Sequence, residues 1–324
     1  MAIDIQTWVN VSAFSGAGIA MGLGAIGAAV AEGNTAASAN YAVSRNPSAS
    51  GEIFKSMLVG QAIAESAAIF ALVVAMVLMF SPFPSDSLLW VFVMLAAGIS
   101  MGFGAIGAAI GSGFPAAAAC EGMARQPEMS GPLATNMLIG SAVCQTPAIF
   151  ALVTSFILMF KDYTGLPLAP TWAAILGAGI STGLSTIGSG VGGGLIARES
   201  CLGMARQPLT ATTLTNTMLL GQAVTQTPAI YGLLISFMLI FSSSPETAAL
   251  TPAMALLGAG ICMGLGASGP ALGIGITGQS AVKAISRNLT AASDITRVML
   301  IGMAVSESTG IYAMVISFCL IFVV

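Results

Sequence analysis

The sequence predicts an all-α membrane protein of four tandem transmembrane helical hairpins, eight spans in all, and three observations carry that prediction. Apolar residues make up 56% of the chain and charged residues 6%, against about 25% charged in a soluble domain. Loop motifs recur at a fixed interval: Arg45-Asn46-Pro47, Arg125-Gln126-Pro127, Arg206-Gln207-Pro208 and Arg287-Asn288-Leu289 are 80, 81 and 81 residues apart, which marks a tandem repeat. Within each repeat a Gly/Ala-rich apolar run leads to a polar loop and then to a second run rich in Leu, Ile, Val, Met and Phe. An apolar run of about 20 residues crosses a bilayer as a helix, and a helix satisfies its own backbone in lipid.

Taken in order, hairpin 1 (residues 1–84) is expected to span near 9–42 and 53–80, and hairpin 2 (85–166) near 88–122 and 132–160. Hairpin 3 (167–247) is expected to span near 170–203 and 213–241, and hairpin 4 (248–324) near 251–284 and 295–323. The first apolar run, from about Trp8, continues past the length of a cleavable leader and reads as a mature span. Each first helix carries at least five glycines, as in Gly98, Gly102, Gly104, Gly107 and Gly111. Small residues let helix backbones approach, so the first helices should form a tight inner wall and the bulkier second helices an outer one. A dinucleotide-binding reading of Gly-x-Gly-x-x-Gly fails, because no strand precedes it. Cys120, Cys144, Cys201, Cys262 and Cys319 show no CxxC spacing and read as packing residues. There is no histidine, and the net charge of -3 gives no ground for a nucleic-acid partner.

Charge sets the expected orientation. Arg45, Lys55, Arg125, Arg206, Lys283, Arg287 and Arg297 lie in or beside the loops within hairpins, whereas the connections between hairpins hold only Lys161. The positive-inside rule places the within-hairpin loops in the cytoplasm and both termini on the opposite side. The arginines themselves read equally as topological anchors or as docking residues.

Each second helix centres on one repeated stretch: GQAIAESAAIF (Gly60 to Phe70), GSAVCQTPAIF (Gly140 to Phe150), GQAVTQTPAIY (Gly221 to Tyr231) and GMAVSESTGIY (Gly302 to Tyr312). Its carboxylate survives as Glu65 and Glu307, while Gln145 and Gln226 replace it and Pro147 and Pro228 follow two residues later. An acid at mid-membrane depth is costly and points to function; the alternative is a pair of structural acids hydrogen-bonded inside a bundle.

Ala-Arg-Gln-Pro at Ala124 to Pro127 and Ala205 to Pro208, Gly-Gln-Ala-x-x-Glu-Ser at Gly60 to Ser66, and Glu-Ser-Thr-Gly-Ile-Tyr at Glu307 to Tyr312, together with the glycine helices, resemble the proteolipids (c subunits) of the membrane rotor in rotary ATP synthases and ATPases. The resemblance covers nearly all of the chain, with F-type-like loops and four fused hairpins. It implies a segment of an oligomeric c-ring, closed with copies of itself and turning against a stator subunit that bears an essential arginine. It implies no catalytic residue and no cofactor beyond a coupling ion, Na+ or H+, carried on Glu65 and Glu307. Central-stalk subunits would dock on Arg45, Asn46, Pro47, Arg125, Gln126, Pro127, Arg206, Gln207, Pro208 and Arg287, in a bacterial or archaeal plasma membrane. Leu289 departs from the loop proline. Loss of carboxylates from hairpins 2 and 3 resembles vacuolar-type proteolipids and implies spacer hairpins, a low ion-to-ATP ratio and a bias toward pumping.

The resemblance also bears on the ion. Thirteen residues before the loop arginines, where sodium-binding relatives carry Gln or Glu, stand Glu32, Ser112, Gly193 and Ile274. The first unit thus resembles a two-carboxylate Na+ site of Glu32, Glu65, the Ser66 hydroxyl and the Ile63 carbonyl, with one acid keeping a proton and oxygens of the kind hard cations take. The other reading of Glu32 is a solvated acid facing the lumen. In the fourth unit Glu307, Ser308, Thr309 and Tyr312 match the sodium-type motif, with Val305 as the carbonyl. Sites in the family are shared between neighbours, so one hand gives Glu32 and Glu65 the partners Val305 and Ser308 of another copy, and the other gives Glu307 the partners Ile63 and Ser66. With hairpin 4 beside hairpin 1 of the next copy, the acids would cluster at that junction. A different class, a self-contained multi-pass transporter or pore, would need broken helices around a central site, and the helices here read as continuous.

Overall fold

The computed structural model describes residues 4–242, 245–247 and 249–323. These residues form eight long helices: α1 (Ile5–Arg45), α2 (Ser50–Phe80), α3 (Leu89–Arg125), α4 (Ser130–Phe160), α5 (Leu168–Arg206), α6 (Ala211–Phe241), α7 (Leu250–Ile285) and α8 (Ala292–Phe322). No strand occurs among the described residues. The helices overrun the expected spans. At 1.5 Å per residue the 41 residues of α1 reach about 60 Å, twice a hydrocarbon core of about 30 Å. Apolarity marks only the part inside lipid, while the backbone stays helical through the polar interface. There Arg45, Arg125 and Arg206 occupy the last turns of α1, α3 and α5, where a cation complements the helix dipole.

Each hairpin turns in the same way. Asn46, Gln126, Gln207 and Asn288 precede the second helix with φ between -138° and -143° and ψ between 79° and 90°, and a single 3₁₀ turn opens it; α7 ends earlier than its counterparts, at Ile285, with a turn at Ser286 and Arg287. Leu289 begins that turn as Pro47, Pro127 and Pro208 do, so the 3₁₀ turn forms without the proline.

The first helices α1, α3, α5 and α7 pack side by side in chain order as one wall, and α2, α4, α6 and α8 form the second wall outside it. Three second helices also rest on the first helix of the following hairpin: α2 on α3, α4 on α5 and α6 on α7. Glycine permits the inner wall. A Cβ added at Gly194 would sit 2.6 Å from the Cα of Gly111, and one at Gly190 would sit 2.7 Å from the Ala108 nitrogen, so α3 and α5 touch backbone to backbone. Hydroxyls fasten the walls together. Ser155 donates to the Ala97 carbonyl (2.9 Å), Ser236 to Ala178 (2.7 Å) and Ser317 to Ala259 (3.0 Å); Ala75 holds the corresponding place in hairpin 1.

The cysteines are free, with Cys120, Cys144 and Cys201 buried, Cys262 half-buried and Cys319 exposed, so the packing expectation fits the first three. Lys161 donates to the Ile240 carbonyl and lies 5.4 Å from the Tyr163 ring centre. Burial lowers its ammonium pKa, and this cation ties the connection after hairpin 2 to hairpin 3.

The two ends of the row are unfilled. Cβ atoms at Gly18, Gly22 and Gly33 on α1 would meet open space, although their counterparts on α3, Gly98, Gly102 and Gly113, all press against α1. At the other end Gly269 is also open, and α8 buries only Met299, Met303, Gly310 and Ser317. A groove of about 570 Å³ runs between α7 and α8, lined by Thr277, Ser280, Asp294 and Val298 among others.

Candidate functional site

The repeated acid position of the second helices lies at the interfaces between hairpins, and its side chain faces the preceding hairpin. Between hairpins 1 and 2, Gln145 of α4 donates from Nε2 to the Ile63 carbonyl of α2 (3.0 Å), to Ser112 Oγ of α3 (2.8 Å) and to the Ala108 carbonyl (3.5 Å). The Ser112 hydroxyl donates to Ala108 and Ala109 carbonyls at 2.9 Å, which leaves its lone pairs for Gln145. Ser66 Oγ donates to the same Ile63 carbonyl at 2.6 Å. Between hairpins 2 and 3, Gln226 reaches only the Val143 carbonyl, at 3.5 Å. Pro147 has no N–H to bond that carbonyl within α4.

Between hairpins 3 and 4, Tyr231 of α6 donates its hydroxyl to Glu307 Oε1 of α8 at 2.8 Å. Val224 stands in the same register as Ile63 and Val143, and Pro228 removes the N–H that would bond its carbonyl inside α6. Ile274, buried on α7, offers no side-chain oxygen. Glu65 is different. It is exposed on α2 at the open end of the row, and Gln61, one turn before it, donates to the Glu32 carbonyl at 3.1 Å, which holds α1 and α2 together at that depth.

This geometry corrects the expected partners. The Ile63 carbonyl faces Gln145 and also accepts from the Ser66 hydroxyl, so it does not complete a site at Glu65 within the chain. The Ser308 hydroxyl donates to the Val305 carbonyl at 2.7 Å, and the Thr309 hydroxyl to the Ser306 carbonyl at 3.1 Å. Val305 is 67% and Tyr312 66% exposed, on the open edge of α8. The reason is angular. Successive residues of a helix are turned by about 100°, so the acid faces the preceding hairpin while the carbonyl two residues earlier and the ring five residues later face the following one. Within the chain the repeated position therefore draws on the preceding hairpin: Glu307 meets Tyr231 at the interface of hairpins 3 and 4, and Glu65 stands at the open end of the row. Hairpin 3, expected as a passive spacer, supplies Tyr231. That residue was missed by sequence reasoning although a signal was present: the stretch ends in Phe70 and Phe150 in hairpins 1 and 2 but in Tyr231 and Tyr312 in hairpins 3 and 4.

No three His, Cys, Asp or Glu side chains converge on a metal position among the described residues, so a cation here would be held largely by neutral oxygens. The loop residues are also unequal. Arg125 lies 3.6 Å from Glu121, and Arg206 lies 3.7 Å from Glu199, an acid buried on α5 and 3.8 Å from Arg198. Ala118 holds the place of Glu199 in hairpin 2. The Asn46 amide donates to the Ala124 carbonyl at 3.2 Å, joining the first two loops.

The family of ATP synthase c subunits matches the chain four times, over residues 15–78, 95–158, 176–239 and 257–320. The chain is similar to the ATP synthase c subunit of Dehalococcoides mccartyi, 52% identical over 68 residues that cover 21% of this chain and 90% of that protein. It is 49% identical to the ATP synthase c subunit of Petrotoga mobilis over 67 residues, covering 21% and 70%, and 42% identical to the first ATP synthase c subunit of Syntrophotalea carbinolica over 77 residues, covering 24% and 85%. The four matches coincide with the four hairpins, and together they cover most of the chain. The chain belongs to the family of ATP synthase c subunits, the non-catalytic, ion-translocating membrane rotor proteins of that enzyme, with four hairpins fused into one polypeptide.

Proposed function

We propose that this chain is a rotor segment in which two of four hairpins carry the coupling ion, on Glu65 and Glu307. The observation that carries this reading is the Tyr231 hydroxyl on Glu307, at the interface position that Gln145 and Gln226 fill with amides in hairpins 2 and 3. A mid-membrane carboxylate is destabilised in its charged form by desolvation. It holds a cation or proton while facing lipid and releases it only beside a wet, positively charged stator, and that cycle couples ion flow to rotation.

The ring closes head to tail. The open glycines of α1 and the groove between α7 and α8 are the two halves of the contact that α3 makes with hairpin 1. Repeating the same hand across that junction brings Val305, Ser308 and Tyr312 of one copy to Glu32 and Glu65 of the next, a site with two carboxylates, two hydroxyls and a carbonyl. We assign Na+ to it, with one acid protonated. The Glu307 site, with Tyr231 and the Val224 carbonyl but Ile274 on its inner side, has fewer oxygens and holds H+ or a less tightly bound Na+. The within-hairpin loops face the cytoplasm and the stalk. Two ions per four hairpins lower the ions moved per turn and favour pumping; a measured ratio near one ion per hairpin would refute that.

Carbodiimide labelling of the assembled protein tests the carriers. Glu65 and Glu307 are expected to be the modified membrane carboxyls, with Na+ slowing modification at Glu65 more than at Glu307. Equal labelling in the presence and absence of Na+ at Glu65 argues for protons. Tyr231→Phe removes the hydrogen bond to Glu307 Oε1, worth about 1.5–3 kcal/mol when the acid is ionised. Labelling of Glu307 should accelerate roughly tenfold or more while Glu65 is unchanged, and an unchanged Glu307 rate would dissociate Tyr231 from the site.

A further inference from the structure

Hairpin 2 has no carboxylate at the repeated position, yet its interface with hairpin 1 is the most completely built of those positions. Three oxygens from two helices, α2 and α3, converge on one nitrogen of α4: Ile63 O, Ser112 Oγ and Ala108 O lie 3.0, 2.8 and 3.5 Å from Gln145 Nε2. Their orientation is held from behind. The Ser112 proton is directed to Ala108 and Ala109 carbonyls, and Ser141 Oγ donates to the Ser112 carbonyl at 3.0 Å. Gln145 is 8% exposed, and its Oε1 is buried without a hydrogen-bond partner.

We infer that the hairpin 1–hairpin 2 interface is a cation site kept shut by its own residue, in which the Gln145 amide NH₂ occupies the place of a bound cation. The inference rests on the reading that Glu65 and Glu307 are the ion carriers. An oxygen cage with lone pairs turned inward suits an electropositive centre. The NH₂ group provides one without a net charge, and it cannot ionise. Hairpin 2 is then a rotor position permanently in its loaded, lipid-compatible state, and it passes the stator without opening. A carboxylate in place of Gln145 would set two acceptor oxygens against three others with no donor between them, an arrangement that demands a cation.

Hairpin 3 provides the control, because its position has no cage. Gln226 Nε2 has the Val143 carbonyl alone, at 3.5 Å, and Gly193 stands where Ser112 does in hairpin 2. A Cβ at Gly193 would have ordinary contacts, 3.5 Å from Cys144 Sγ and 3.8 Å from Gln222 Nε2 and Gln226 Nε2, so there is room for a serine Cβ beside the Gln226 amide.

The test is site-resolved carbodiimide labelling of the full-length assembled protein, with NaCl titrated and adducts located by peptide mass spectrometry. The carboxyl introduced by Gln145→Glu is expected to react and to be slowed at least tenfold by Na+. The one introduced by Gln226→Glu should react without Na+ protection and acquire protection when Gly193→Ser is added. Equal sensitivity to Na+ at the two introduced carboxyls, whether present or absent, overturns the inference. Failure of Glu65 and Glu307 to label in the unmodified protein overturns the carrier reading instead. Should Gln145→Glu fail to assemble, leucine substitutions decide: Gln145→Leu is expected to lower the unfolding temperature of the assembled protein more than Gln226→Leu, and equal shifts refute the cage.

Discussion

In proteoliposomes containing the whole enzyme, the double substitution Glu65→Gln with Glu307→Gln is expected to abolish ATP-driven ion uptake, and each single substitution to reduce it at least tenfold. The physical reason is that a neutral amide neither releases a proton nor balances a cation in a low-dielectric setting. The chain already contains two such positions at Gln145 and Gln226, so either single change leaves one carrier in four hairpins. The singles should differ in kind. Glu307→Gln leaves the Tyr231 hydroxyl an amide to bond and keeps the hairpin packing, so its loss should appear in transport with little change in thermal stability. Glu65→Gln acts at the open edge and should also weaken the Na+ dependence of ring stability. Uptake surviving in the double variant would remove both acids from the mechanism.

Gly190→Leu is expected to prevent a stable protein from accumulating in the membrane, whereas Gly18→Leu should leave a folded chain that does not close into rings. Overpacking a core costs about 1–3 kcal/mol where neighbours are side chains that can shift. Here the neighbour is the backbone of α3, with Ala108 N 2.7 Å from the new Cβ, and it has no rotamer to change. Gly18 meets nothing within the chain, whereas its counterpart Gly98 meets the backbone of Gly16 on the preceding first helix; in the proposed ring Gly18 would meet α7 of the preceding copy in the same way. Membrane yield together with the mass of the detergent-solubilised complex separates the two outcomes. Intact rings with Gly18→Leu would show that the open edge of α1 is not the ring contact.

Much of this protein is legible without coordinates, and the reason is periodicity. The loop arginines repeat every 80 or 81 residues, so hairpin number, the alternation of glycine-rich and bulky helices, and the depth of Glu65, Gln145, Gln226 and Glu307 all follow from the primary structure. Apolar run length locates a span within a few residues, though not the helical extensions at its ends. The pairing of side chains across hairpins does not follow from it. Ile63 and Tyr312 fall within a few residues of an acid, and linear proximity suggests that they serve it. In a helix those offsets turn them toward the other neighbour.

The chain by itself determined that there are four membrane hairpins, that two carry an acid at mid-depth, and that the inner helices approach closely, because composition, period and residue size are local properties. Only the tertiary structure decided the hand of the row, and with it that Tyr231 faces Glu307, that Ile63 and Ser112 enclose the Gln145 amide, and that Glu65 is left at an open edge. Both hands satisfy the same hydrophobic pattern. The choice between them rests on which backbone each glycine meets and which carbonyl each amide finds, and those contacts exist only when helices about 80 residues apart in the chain lie side by side.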